Sequence, residues 1–379
     1  MKHNSGITEF CGKYDIYPDL TSARKYEDGL RTKGLFKNSK TDEPLITIIT
    51  VVYNSESSIE RAIKSVLNQT YANIEYIIID GGSTDTTLEI VKKYINKIDY
   101  IVSEPDKGIY DAMNKGIELS KGEYIALLNS DDYYSPNAIE QSINEIIRTQ
   151  TDYSGGDAIL IDEFGNHVFQ FGLHLFDKRA YFSLNPCSHI AMVIGKKVYN
   201  SIGRYDTKYK IASDLKYQLK IAEAGFRAAP VNHVVCYMEL EGVSSREQDL
   251  AITEVKQILA EFHPNLSIEE IDSIAQLRYR DQLTLHSMDM LLKVLESNEY
   301  TSEQKAFIKN RIQECYKKTM YMLNNSTLTN NDSEERTMNE YFDSIRFKTI
   351  LKYKVAKKLY HTPVYKPVRH LYKLAKRYL

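Results

Sequence analysis

The chain has 379 residues, 42% hydrophobic and 26% charged, ordinary usage for one large globular domain or two. Its four cysteines, at 11, 187, 236 and 315, are too scattered for a Cys-x-x-Cys metal site or a disulfide framework, so free thiols in a reducing compartment are expected. Net charge is −2, no apolar run approaches the ~18 residues of a membrane span, and Met1 to Asp15 lacks a signal-peptide core, so an intracellular protein is expected.

Residues 1–44 read as a polar, irregular extension. Leu45 to Tyr53 (LITIITVVY) is then a β-branched run, the mark of a strand buried on both faces. Ile59, Ala62, Ile63, Val66 and Leu67 recur at helical spacing over 58–68. A second buried strand spans 74–79 and ends at Asp80-Gly81-Gly82-Ser83, followed by a helix over 84–95. A third strand covers 99–103, a helix 107–120, and a fourth strand 124–128, ending at Asn129-Ser130-Asp131-Asp132. This β-α alternation with short connections predicts a Rossmann-like parallel sheet between helices. Every polar cluster falls at a strand's carboxyl end, where such sheets bind ligands.

Beyond 150 the pattern changes. Strands at 157–161 and 167–171 flank the turn Glu163 to Asn166, and further strands are predicted at 190–194 and 231–238 with a helix at 214–224 between them. From 246 to 322 helical periodicity dominates, 323–345 reads as a linker, and 346–379 is a basic tail.

Each polar cluster has two readings. Asp80-Gly81-Gly82-Ser83 is a plain turn or a place where backbone and carboxylate approach a nucleoside. Asp131-Asp132 leads into a helix begun by Ser135-Pro136, or holds a divalent cation against a diphosphate. The segment Glu104 to Gly116 is a Pro-initiated capped helix or a functional loop. Asp214 is a helix cap or a general base, and His189 is structural or catalytic.

Taken together these residues resemble an inverting family 2 glycosyltransferase with the GT-A fold, of the bacterial branch that builds capsule, exopolysaccharide or O-antigen. The segments that carry the resemblance are ITIITVVYN, SVLNQTY (65–71), IEYIIIDGGSTD (74–85), SEPDKGIYDAMNKG (103–116), GEYIALLNSDD (122–132), CSH (187–189), IASDLKYQLKI (211–221) and GVSS (242–245). The resemblance implies a GT-A domain over 45–245, a mixed α/β sheet flanked by helices, with the helical extension beyond it. It implies a nucleotide site at Thr50, Val52, Tyr53, Asn54, Asp80, Asp106, Lys107, Asn129 and Asp131. It further implies Mg²⁺ or Mn²⁺ on Asp132, donor sugar or ribose near Asp131, and Asp214 as catalytic base. Here Ser213 precedes Asp214 where Glu or Ala would be familiar. His189, Ser244 and Ser245 would lie near the acceptor or the diphosphate. The implied substrates are a nucleotide-sugar, most simply UDP-linked, and a lipid-linked or oligosaccharide acceptor.

Of the 49 Lys and Arg, 11 fall within 346–379, together with none of the 51 Asp and Glu. In that tail Val368, Leu371, Tyr372, Ala375 and Leu379 share one helical face, with Arg369, Lys373, Lys376 and Arg377 largely elsewhere. Such a basic amphipathic helix lies on anionic membrane, which would place the enzyme peripherally on the cytoplasmic face of a bacterial membrane. Nucleic-acid binding is not expected, because no reading motif accompanies the tail. The helical region after 246 supports a homodimer or packs on the catalytic domain. The competing readings are a sugar-nucleotide nucleotidyltransferase and a non-catalytic nucleotide-binding assembly subunit.

Overall fold

The computed structural model describes residues 24–162, 164–171, 187–239, 242, 246–264, 266–269, 271–272 and 275. The chain divides into two compact units between Glu254 and Val255. The elements are β1 (Tyr26–Asp28), β2 (Ile46–Val52), α1 (Ile59–Leu67), β3 (Ile74–Asp80), α2 (Thr87–Lys92), β4 (Tyr100–Ser103), α3 (Ile109–Leu119) and β5 (Tyr124–Asn129). Next come β6 (Tyr133–Tyr134), α4 (Ala138–Thr149), β7 (Tyr153–Ile161), β8 (His167–Phe171), β9 (Met192–Gly195), α5 (Lys196–Ile202), α6 (Ser213–Glu223), β10 (Ala228–Glu239) and α7 (Gln248–Phe262). In the second unit Lys256 pairs with Asp272.

One mixed sheet runs in the order β1-β4-β3-β2-β5-β9-β7-β10-β6, with β8 also on β7. The four central strands are parallel, with Ile46 opposite both Ile74 and Tyr124. Every residue of β2 and β3 is buried, as expected of strands covered on both faces. The parallel run ends at β9, which is antiparallel to both β5 and β7, and β10 then lies parallel to β7. The sheet is therefore mixed, as the family resemblance implies.

Local chemistry moves several boundaries. The second helix starts at Thr87 because Asp85 Oδ1 accepts from Thr87 N (3.0 Å), turning the chain first. The third starts at Ile109, since Asp106 Oδ1 accepts from Gly108 N (2.9 Å) and Gly108 sits at φ +118°, a conformation glycine alone takes readily. The strand expected at 190 opens as a 3₁₀ turn, His189–Ala191, before β9. The expected hairpin forms, with Asp162 Oδ1 accepting from the backbone of Phe164 and Asn166.

Residues 24–44 are less irregular than their sequence implies. β1 adds an antiparallel edge to β4. Arg31 is buried against Glu75 (3.3 Å), the Leu119 carbonyl (2.9 Å) and the Tyr100 ring. Glu75 in turn accepts from Thr47 Oγ1 (2.6 Å) and Lys121 N (2.7 Å). These partners are 44 to 90 residues from Arg31 or sit on other strands, so no local pattern reports them.

Helix α3 lies closely over β2. A Cβ on Gly116 would stand 2.3 Å from Ile49 Cγ2, and Ile49 is wholly buried. Gly116→Ala would gain up to ~1 kcal/mol of helix propensity, but overpacking a filled core costs about 1–3 kcal/mol. The clash wins, so the variant is expected to melt several degrees below the parent. A melting temperature at or above the parent's would show that the helix can lift off β2.

Candidate active site

The four parallel strands end side by side. Gly81 N donates to the Val52 carbonyl (2.9 Å) and Glu104 N to the Asp80 carbonyl (3.0 Å), which keeps the ends level. Side chains stitch the following loops together. Asn54 N donates to Ser83 Oγ (2.9 Å), Thr84 N to Asn54 Oδ1 (2.8 Å), and the Ser55 and Ser130 hydroxyls lie 2.8 Å apart. Asn54 takes φ +46°, which asparagine tolerates, and so turns the chain out of β2.

Tyr53 is 60% exposed at this rim. A Cβ on Gly81 would meet Asp106 Oδ2 at 2.6 Å and Tyr53 Cδ2 at 3.4 Å, so glycine there lets carboxylate and ring converge. Burial raises the Asp106 pKa above the ordinary carboxylate value. Lys107 is exposed, its N–H held by Asp111 Oδ2 (3.0 Å). Thr50, Val52 and Asp80 lie beneath this rim. Thr50 is wholly buried, its hydroxyl 3.0 Å from that of Tyr76. Asp80 is also wholly buried and accepts from Ser83 N (3.1 Å) and from the Ser83 and Ser103 hydroxyls. It thus ties the loops after β3 and β4 to each other, leaving Tyr53, Asn54, Asp106 and Lys107 as the surface.

Past β5, Asp132 Oδ2 accepts from Asn129 Nδ2 (3.0 Å) and Oδ1 from Glu239 N (3.2 Å) at the end of β10. Burial, and then the adjacent Asp131 charge, push the Asp132 carboxyl well above the usual range. Burial raises Asp131 as well. Arg61 Nη2 donates to the Asp131 carbonyl (2.6 Å) and pairs with Glu239, its guanidinium 4.9 Å over the Tyr133 ring. Asn129 Oδ1 is buried and meets no donor among the described residues. Two crowded carboxylates beside an acceptor without a donor form an oxygen-rich site, which fits a hard divalent cation. No group of three or more His, Cys, Asp or Glu among the described residues could hold an ion alone. A cation here would complete its shell with phosphate oxygens and water, the habit of Mg²⁺ sites.

Asp214 lies in the first turn of α6. The Tyr110 hydroxyl, from the first turn of α3, is 3.2 Å from Asp214 Oδ1 and 2.5 Å from the Ile211 carbonyl. His189 Nδ1 is 3.4 Å from Asp214 Oδ2. His189 Nε2 is buried without a partner among the described residues. The structure therefore brings Asp214 and His189 together. Ser244 and Ser245 lie outside the described residues, as do residues 1–23, the linker and the basic tail.

The model of "Glycosyl transferase family 2" matches residues 47–198. These residues thus resemble a family 2 glycosyltransferase domain. Over 128 residues the chain is 37% identical to an uncharacterized glycosyltransferase of Haemophilus influenzae, covering 33% of this chain and 51% of that protein. Over 110 residues it is 40% identical to the chondroitin synthase of Pasteurella multocida, covering 28% of this chain and 11% of that enzyme. The chain thus spans about half of the first relative's length and a tenth of the second's. Residues 1–349 of Staphylococcus aureus TarS, in complex with UDP-GlcNAc, match at 19% identity and a TM-score of 0.49, covering 72% of this chain and 80% of that one.

The site also draws on residues to which sequence reasoning assigned no role. Tyr110 stands within the segment 103–116 but showed no separate signal. In the same segment the buried Lys115 and Glu104 pair at 2.9 Å. Arg24 Nε reaches Glu104 (3.0 Å) and Lys25 Nζ the Gly82 carbonyl (2.7 Å), both from ahead of the matched residues. Four tyrosines pack in series, Tyr110 stacked on Tyr205 (5.5 Å), Tyr205 tilted against Tyr217 (4.6 Å) and Tyr217 stacked on Tyr199 (5.2 Å), and so join α3 to α6. The sequence shows 29 tyrosines but not which of them meet. Among the described residues no helix is long and apolar enough to cross a membrane.

Proposed function

We propose that this protein is an inverting, metal-assisted glycosyltransferase that moves a sugar from a UDP-linked donor to a hydroxyl of a growing, lipid-linked surface polysaccharide. The observation that carries this reading is Tyr110. Its helix begins just after the carboxyl end of β4, and its hydroxyl touches Asp214. The Asp214 carboxylate therefore stands at the same end of the sheet as Asp131 and Asp132.

In the proposed reaction the acceptor oxygen bonds to the anomeric carbon as that carbon's bond to the diphosphate breaks. The acceptor's proton passes to Asp214, and attack from the face opposite the leaving group inverts the centre. Tyr110 and His189 hold the two Asp214 oxygens in place. Tyr53 and Asp106 border the nucleoside. Asp132, with Asp131 and Asn129 Oδ1 beside it, would hold a divalent cation, which would supply positive charge against the departing diphosphate. The loop after β2, Asn54 to Ser58, carries no glycine or arginine, whereas a nucleotidyltransferase needs a Gly-rich, arginine-containing loop there. The chondroitin synthase relative supports a polysaccharide acceptor. The basic tail supports attachment to anionic membrane on the cytoplasmic side, at ~1 kcal/mol per basic residue near the surface.

Thermal unfolding with UDP, GDP and dTDP, each with and without Mn²⁺ or Mg²⁺, tests the reading. A ligand at a hundred times its dissociation constant stabilises the folded state by about 2.7 kcal/mol. UDP with metal is expected to raise the melting temperature, and UDP-sugars to be turned over to UDP. Pyrophosphate release from a nucleoside triphosphate and a sugar phosphate would replace this reading with the nucleotidyltransferase.

A further inference from the structure

We infer that Glu254 is the positioning residue that holds Asp214 in place; this rests on Asp214 being the base. Glu254 lies on α7, outside the residues that match the family. It is 6% exposed, and among the described residues no Lys or Arg side chain pairs with it. Its carboxylate is satisfied by three consecutive backbone amides. Lys210 N donates to Oε1 (2.7 Å), and Ile211 N (2.9 Å) and Ala212 N (2.9 Å) both donate to Oε2. Successive N–H groups that converge in this way form an anion-binding concavity, and hydrogen bonds to a carboxylate are about twice as strong as neutral ones.

The gripped segment leads directly into α6, whose second residue is Asp214. Its other side is held too, because the Ile211 carbonyl faces the Tyr110 hydroxyl that also faces Asp214 Oδ1. Glu254 from one side and Tyr110 from the other therefore fix the backbone two to four residues before the base. A carboxylate is required for the grip. A glutamine of the same shape offers one acceptor oxygen and turns an NH₂ group toward donors. Misplacing a reacting group by about 1 Å can cost 100-fold in rate.

The test compares Glu254→Gln, Glu254→Asp and Asp214→Asn in the full chain. Turnover is read as UDP released from a panel of UDP-hexoses and UDP-N-acetylhexosamines. Glu254→Gln is expected to lose 10- to 100-fold in kcat while the donor KM stays within about threefold, and the melting shift with UDP and Mn²⁺ persists. The amides of 210–212 should exchange with deuterium faster. Glu254→Asp keeps the charge on a shorter arm and should recover part of kcat. A Glu254→Gln protein with parental kcat, beside an inactive Asp214→Asn, would overturn the inference and leave the base standing. Equal losses in kcat and in UDP binding would reduce Glu254 to a general structural residue. Parental turnover by Asp214→Asn would overturn the base and, with it, this inference. Should Glu254→Gln not fold, Glu254→Asp decides, since a parental kcat in that variant overturns the inference.

Discussion

Asp214→Asn is expected to lower turnover of UDP-sugars by about 10²–10⁴-fold, the usual contribution of a general base. The change is nearly isosteric. The Tyr110 hydroxyl can still donate to the side-chain oxygen, and α6 keeps its start. What disappears is the ability to take up the acceptor's proton. In the proposed reading donor binding falls to different residues, from Tyr53 to Asp132, so the melting shift with UDP and Mn²⁺ should stay within a degree or two of the parent's. Measuring both quantities on one preparation separates chemistry from binding. A variant that turns over UDP-sugars at the parental rate would remove Asp214 from the mechanism. One that loses both turnover and the UDP shift would assign Asp214 to the donor pocket.

Asp132→Asn should act in the opposite way, with a firmer fold and no metal-dependent binding. The Asp132 carboxyl is raised by burial and by the Asp131 charge beside it. The sign follows from linkage. Its folded pKa lies above the unfolded value, so below the ordinary carboxylate range it is protonated in both states and costs nothing. From that range up to the raised value folding must take up a proton, and above it keep the charge buried, so stability falls as pH rises out of the ordinary carboxylate range. At neutral pH, asparagine removes that cost, whether it is met by taking up a proton or by burying the charge. Its NH₂ can donate to Asn129 Oδ1, the buried acceptor that now meets no donor. A gain of about 1–2 kcal/mol is expected at pH 7, or several degrees in melting temperature. It should vanish toward pH 4. The same variant should show no melting shift with UDP and Mn²⁺ and no turnover. In the parent, metal and proton compete for Asp132, so the apparent affinity for Mn²⁺ with UDP should rise with pH. A variant less stable than the parent at pH 7 would show that the carboxylate is held by partners rather than strained against them.

Much of this was legible in the chain alone. The runs Ile46–Val52 and Ile74–Asp80 are apolar without alternation, and only a strand covered on both faces uses such a run. Helical spacing identified α1, and the position of Asp131-Asp132 marked the carboxyl end of β5. These signals are local, because a strand or helix writes its burial into its own few residues.

Other features depended on residues far apart. The antiparallel seat of β9, between β5 and β7, leaves no mark on Met192–Gly195. The sequence put Asp80 at the nucleotide, but its surroundings are set by Ser83 and by Ser103, 23 residues away. Glu239 reaches Asp132 across 107 residues, Tyr110 reaches Asp214 across 104, and Glu254 grips the backbone before Asp214 from 42 residues downstream. A carboxylate's charge, reach and hydrogen bonds depend on which groups surround it. That enclosure is assembled only when the sheet brings its strand ends together, so composition and spacing could locate the acidic residues at those ends but not say which are solvated, which are spent on backbone and which are strained.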